Sequence, residues 1–240
     1  VETDPLGPEN VLIAYTGLFT GTRVPSSGRH HVMARSPLTG ILGESNVGGS
    51  WGVHLKKTGY DGLVVTGKAE SPVYLWIHDG GVEIRDARKI WGMDSYQSSA
   101  WLKEQTTAKA TAAVIGPAGE RLALIASIPH IGHVVRAAAR TGMGAVMGSK
   151  NLKAIVVLGT RDIPQADAEA LDRSVQSRLD HIRTATEAFR KYGTSGGIAT
   201  YEKIGNFPLK NWILGRWPDV ENITGVAMHD TILSGRKACL

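Results

Sequence analysis

The residues from Arg136 to Val157, RAAARTGMGAVMGSKNLKAIVV, carry the densest potential chemistry of the chain. Two arginines and three glycines precede a Lys-Asn-Leu-Lys tail and an apolar run. Glycines let a backbone approach a ligand closely, and consecutive N–H groups form an anion nest. Arginine adds bidentate recognition of phosphate. Arg136 and Arg140 lie four apart, so a helix would put both on one face, which is costly to desolvate without an anion. The segment reads either as a phosphate cradle or as a glycine-rich turn feeding a core strand. It is not a P-loop, and Gly142-Met143-Gly144 lacks the third glycine of a dinucleotide fingerprint.

Eight histidines and one cysteine complete the reactive inventory. His30 and His31 adjoin Arg29, and His130 and His133 stand three apart near the signature. A zinc site needs three or four ligands in closed geometry. No such set is visible, so these histidines read as loop or phosphate-side residues. Trp51 and Trp101 read as core or interface residues on helix faces. The carboxylates are scattered and form no visible acid/base pair. A lone cysteine, Cys239, excludes a disulfide framework and points to a reducing, cytoplasmic compartment.

These residues need elements to hold them. Apolar runs bounded by turn residues predict strands at Val11–Tyr15, His31–Ala34, Gly62–Thr66, Val73–Ile77, Val82–Arg85, Thr111–Ile115, Leu122–Ile128 and Ala154–Leu158. Asp79-Gly80-Gly81 signals a hairpin, and Gly116-Pro117-Ala118-Gly119 a turn. One helix should open near Gly48 and run to Lys57, stopped by Gly59. A second runs to Glu104, capped by Asp94 or Ser95. The character changes at Ile163-Pro164. Leu171, Val175, Leu179, Ile182 and Phe189 then follow helical spacing, with Asp167 as a cap. The expectation is an α+β chain: residues 1–163 form a strand-rich platform domain, and 164–240 begin a mostly helical one.

Composition narrows the function. With 42% hydrophobic and 20% charged residues, the 240-residue chain fits a soluble globular protein. No apolar run reaches the roughly 18 residues of a membrane span. The net charge of +5 is dispersed and aromatics are only 6%, which argues against nucleic-acid binding. The excess charge suits a buried polyanionic cofactor instead. No signal peptide is visible, and without an initiating Met the N-terminus is expected to have been trimmed.

Ordered motifs sharpen this. Gly28-Arg29-His30-His31 leads into Ser36-Pro37-Leu38-Thr39-Gly40. Ser45-Asn46-Val47-Gly48-Gly49 precedes Leu55-Lys56 and Gly59-Tyr60-Asp61. Val64-Val65, Gly67-Lys68-Ala69 and Pro72-Val73-Tyr74 follow, then Gly116-Pro117-Ala118-Gly119-Glu120 and the Arg136 segment. In this order they closely resemble the tungsten-containing aldehyde ferredoxin oxidoreductase family.

The resemblance implies an N-terminal platform for a tungstopterin or molybdopterin cofactor, with two pterins on one metal and their phosphates bridged by Mg2+. It implies that Arg29 lies between a pterin and an iron–sulfur cluster. Asn46 and Gly48 would contact pterin and magnesium through backbone groups, aided by the freedom of Gly48 and Gly49. Arg136, Ala137, Ala139 and Arg140 would wrap the other phosphate side, with the Ala137 and Asn46 carbonyls as magnesium ligands. Ala139 stands where many relatives show glycine. Cys239 looks like the first ligand of a [4Fe–4S] cluster, in a C-x-x-C-x-x-x-C run cut after its first cysteine. The implied reaction oxidises an aldehyde to a carboxylic acid and passes electrons through the cluster to ferredoxin. The protein would act as a homodimer or with electron-transfer subunits. The acid/base residues would lie beyond residue 240, so this chain alone is expected to be inactive. Alternatives are a subunit that reduces aromatic acyl thioesters, and a non-catalytic module gripping a phosphorylated ligand.

Overall fold

The computed structural model describes residues 3–236. Short apolar runs and glycine turns give a four-stranded antiparallel sheet from β1 (Leu12–Thr16), β2 (His30–Arg35), β3 (Leu42–Val47) and β4 (Gly62–Val65). Its strand order is β3-β2-β1-β4, and α1 (Trp51–Lys57) leads from β3 to β4. A six-stranded sheet follows. Its elements are β5 (Val73–His78), β6 (Gly81–Asp86), α2 (Ser95–Gln105), β7 (Thr111–Val114), α3 (Pro117–Glu120), β8 (Ile128–Ile131), β9 (Val135–Ala138), α4 (Met143–Ser149) and β10 (Leu152–Leu158). The order is β6-β5-β10-β7-β8-β9, with only β5 and β10 parallel. The fold is α+β, as the sequence implies.

β10 organises the core because it is apolar on both faces. Ile155 and Val157 join Leu12, Val32, Val47, Trp51, Leu55, Met143 and Met147, which unites the two sheets with α1 and α4. Ala154 and Val156 face the other way, toward Tyr74, Ile90, Leu102 and Val114. Each large aliphatic side chain fully buried this way contributes about 1.5–3 kcal/mol. Asp94 caps α2 as expected, its Oδ1 accepting from the Tyr96 and Gln97 amides at 2.8 Å. The Asp79–Gly81 hairpin also forms, with Gly81 at φ +138°.

Several elements of the first unit differ from expectation, β9 (Val135–Ala138) among those not foreseen. β3 was not foreseen: its inward residues are Gly43, Ser45 and Val47, too small and polar to signal a strand, and α1 opens only at Trp51. The expected strand Leu122–Ile128 is mostly a loop, turned by Leu122 at φ +57°, and β8 starts where that strand was to end. Gly116-Pro117-Ala118-Gly119 leads into a single helical turn, α3, with proline in its first turn.

The chain divides into two compact units at Ala166/Asp167. The second is helical: α5 (Ala168–Ala185), α6 (Glu187–Tyr192), α7 (Ile198–Lys203) and α8 (Gly225–Thr231). Asp167 caps α5 through the Ala170 amide at 2.8 Å. The expected long helix breaks at Thr186, whose hydroxyl turns back to the Ile182 carbonyl, and α6 ends at Gly193 with φ +61°. Among the described residues, no helix is long and apolar enough to cross a membrane.

α4 touches its neighbours backbone to backbone. A Cβ on Gly148 would sit 2.0 Å from the Gly119 carbonyl oxygen, a contact no side chain can relieve. Gly148→Ala is expected to destabilise the chain by about 2–3 kcal/mol, read as a lower urea midpoint. An unchanged midpoint would show that α4 can move away from α3.

Candidate functional site

The glycines of the signature serve packing rather than a ligand. All seven residues of α4 are buried. Gly142 caps it in the left-handed region at φ +72°, and a Cβ there would lie 2.0 Å from the Leu124 carbonyl oxygen. A Cβ on Gly144 would lie 2.5 Å from that of Ser127. The lysines of the tail also turn inward. Lys150 Nζ donates to the Pro8 and Gly67 carbonyls at 3.1 and 3.2 Å. Lys153 is fully buried, donating to the Met93 carbonyl at 2.9 Å and pairing with Glu120. Burial lowers its pKa and the Glu120 carboxylate opposes that shift. The anion-nest reading of this stretch is therefore corrected: close helix–loop packing needs the glycines, and backbone carbonyls occupy the ammonium groups.

What remains at the surface is β9 and its end. Arg136 and Ala137 lie in β9, with Ala139 and Arg140 just beyond it, so the two arginines do not share a helical face. In the strand, Arg136 and Ala138 point inward while Val135 and Ala137 are exposed. The Arg136 side chain lies against Gly49, whose φ is +92° and where a Cβ would meet Arg136 Cγ at 3.4 Å. The Arg140 amide donates to Ser45 Oγ at 3.3 Å, tying this end to β3. Ala137 is registered with Pro129 across β8–β9. Proline has no N–H, and β9 is an edge strand, so the Ala137 carbonyl receives no ladder bond from β8. That oxygen is suited to a cation.

On β3 and its neighbour, four polar side chains form one line. Glu44 holds His31 Nδ1 at 2.5 Å, His31 Nε2 meets Asn46 Nδ2 at 2.8 Å, and Asn46 Oδ1 accepts from Arg29 Nε. Arg29 Nη2 also donates to the Asn46 backbone carbonyl, at 3.2 Å. Gly48 is buried at the turn between Asn46 and α1. Neither Arg29 nor Arg140 pairs with a carboxylate among the described residues. The structure thus brings Arg29 together with Asn46, and it brings Arg136 to Gly49 three residues on. The arrangement offers positive charge toward an anion and a bare carbonyl toward a cation. A phosphate-bearing, magnesium-bridged group fits this donor set. Cys239 lies outside the described residues.

Two expected phosphate-side histidines are instead core residues. His30 and His130 are buried, with their Nε2 atoms 3.0 Å apart, and Trp51 packs on both, ring centroids 4.7 and 5.4 Å away. His133 stays exposed. Burial, with His130, His31 and Arg29 nearby, holds His30 well below its usual range. Burial brings His130 down to about 4, against a smaller opposing effect of its bond to the Ile128 carbonyl. Both rings are neutral near pH 7. Ser45 and Pro129 are residues of this region to which sequence reasoning assigns no role, whereas it reads Gly49 as freeing the backbone beside Asn46.

Residues 1–159 match the family model described as aldehyde ferredoxin oxidoreductase, N-terminal domain. The chain is 44% identical to a tungsten-containing aldehyde ferredoxin oxidoreductase of Pyrococcus furiosus, over 98% of this chain and 39% of that protein. It is 36% identical to an aliphatic sulfonate oxidoreductase, WOR-like subunit, of the same organism, over 88% of this chain and 35% of that protein. A solved structure, the active site complex BamBC of benzoyl coenzyme A reductase with 1,5-dienoyl-CoA, matches with TM-score 0.73 and 40% identity. That match covers 78% of this chain and 28% of the other. The chain spans about two fifths of the length of the curated relatives it matches.

The buried histidines predict a pH dependence. A histidine whose folded pKa lies below its unfolded 6.5 contributes its full stability above pH 6.5 and loses it as pH falls toward 4. For His130 the loss is expected to be on the order of 3 kcal/mol. Urea unfolding across that window measures it, and His130→Gln should flatten the slope. A wild-type slope already flat between pH 6.5 and pH 4 would contradict the burial.

Proposed function

The chain belongs to the aldehyde ferredoxin oxidoreductase family, and on that premise we propose that it is the cofactor platform of a tungsten or molybdenum bis-pterin oxidoreductase. The observation that carries the reading is the meeting of β9 with β3. Arg136 and the donor-less Ala137 carbonyl lie on one side, and Arg29 and Asn46 on the other.

In this reading Arg136 and Arg140 hold pterin phosphate, and the Ala137 and Asn46 carbonyls hold the bridging Mg2+. Arg29 holds Asn46 in place while its guanidinium faces the pterin and a neighbouring [4Fe–4S] cluster. Gly48 and Gly49 keep the backbone close enough for these contacts. Ala139 adds a short side chain that leaves the phosphate side open. Cys239 is the first thiolate of the cluster. When bound, the metal–pterin group supplies two-electron oxidation of an aldehyde to a carboxylic acid. The protein's share is to bind and orient it, with fixed charges matched to its phosphates. When bound, the cluster would supply an exit for electrons toward ferredoxin or a partner subunit, in a cytoplasmic setting. A homodimer is the simplest assembly.

A second reading has its own support. The match to the benzoyl coenzyme A reductase complex suits a subunit that reduces an aromatic acyl thioester on the same platform. Viologen-linked assay of the protein at the length of its relatives separates the two, with aldehyde on one side and aromatic thioester on the other.

Anaerobic purification of that protein is expected to give stoichiometric tungsten or molybdenum. Neither metal present would overturn the assignment. Arg136→Ala is expected to reduce cofactor retention roughly tenfold or more while the chain stays folded. Metal content after gel filtration reads this directly.

A further inference from the structure

The buried histidine pair has no part in the chemistry above, yet it joins β2, which Arg29 immediately precedes, to β8, the ladder partner of the strand that carries Arg136. His30 follows Arg29 directly and opens β2. His130 is the cross-strand partner of Arg136 in the β8–β9 ladder. Their Nε2 atoms meet at 3.0 Å, so one hydrogen bond spans from the first sheet to the second.

Its proton is fixed by the surroundings. His130 Nδ1 lies 2.9 Å from the Ile128 carbonyl and must donate to it. In a neutral ring, His130 Nε2 is then an acceptor, so His30 Nε2 must donate. His30 Nδ1 is left as a buried acceptor with no hydrogen-bond partner among the described residues, and a Cβ on Gly52 would sit 3.0 Å from it. The same stretch that puts Gly52 on His30 puts Gly49 on Arg136. A bare buried ring nitrogen is a standing cost, which marks the pair as held in place for another reason.

We propose that His30 and His130 are positioning residues whose single, one-directional hydrogen bond sets the spacing of Arg29 and Arg136 across the two sheets. The inference rests on reading those arginines as two sides of one anion site. The pair touches no ligand. It acts by holding β2 and β8 at a fixed spacing between the two sheets, so that an anion bridging the arginines finds both at once. Surrounding charge is compatible with a neutral pair: Arg29 and His31 lie near His30, and neither adds a carboxylate that would favour a proton on it.

The test uses the 240-residue chain labelled with 15N-histidine. Wild-type spectra should show both rings neutral, with protons on His130 Nδ1 and His30 Nε2 and a scalar coupling across the Nε2–Nε2 bond. A proton on His30 Nδ1 would overturn the proposal. Titration with magnesium pyrophosphate then reads the site. His130→Phe keeps the ring volume and removes the link, and it should weaken uptake roughly tenfold or more, with His130→Gln restoring most of it. Folded His130→Phe with wild-type affinity, or no rescue by glutamine, sinks the positioning role. If the phenylalanine variant does not fold, His30→Gln takes its place under the same criteria. Wild-type chain that keeps the coupling but takes up no pyrophosphate defeats the anion-site reading itself. Uptake without the coupling defeats the pair alone.

Discussion

Contact between backbones, not between side chains, sets the frame of this domain. α4 lies so close to α3 and to the loop before β8 that Gly142, Gly144 and Gly148 have no room for a single carbon atom. This closeness fixes the height of α4 under the first sheet. It also fixes where β9 ends and where the chain enters β10. Because α4 is buried along its whole length, shifting it would disturb Met143 and Met147 in the shared core. The polar surface described above is therefore mounted on the least compressible part of the molecule.

The charges near this frame divide into two kinds. Lys150 and Lys153 are internal, their ammonium groups taken by carbonyls and by Glu120. A buried pair of this sort is weak support for stability, yet losing one partner would leave an uncompensated charge. Arg29, Arg136 and Arg140 are peripheral, on or near strand edges. One signature thus holds lysines that brace the interior, Arg136 half-buried against Gly49, and Arg140 exposed beyond the strand. A count of basic residues cannot separate them, because the difference lies in which way each backbone turns.

The family was legible in the order of its motifs, and the apolar run Ala154–Leu158 announced a strand, though not its burial on both faces. The caps at Asp94 and Asp167 were equally plain, since an acidic side chain before a helical pattern has a local purpose. β3 was hidden because its inward positions are Gly43 and Ser45, chosen for closeness and a hydrogen bond to Arg140 rather than for apolar area. The shared helical face considered for Arg136 and Arg140 does not form, because Val135–Ala138 is a strand that folds back on β8 as a hairpin. His30 and His130 stand a hundred residues apart. Their meeting depends on the stacking of two sheets, so no window of sequence could bring them together.

Pro129 has a last consequence. With no N–H opposite Ala137, it leaves that carbonyl of the outermost strand of the second sheet outside the β8–β9 ladder. Such a strand is the easiest part of a sheet to peel away. An ion bound to that oxygen would do what a missing amide cannot, completing the ladder from outside. Any ion bound there would couple its own binding to the stiffness of that outermost strand.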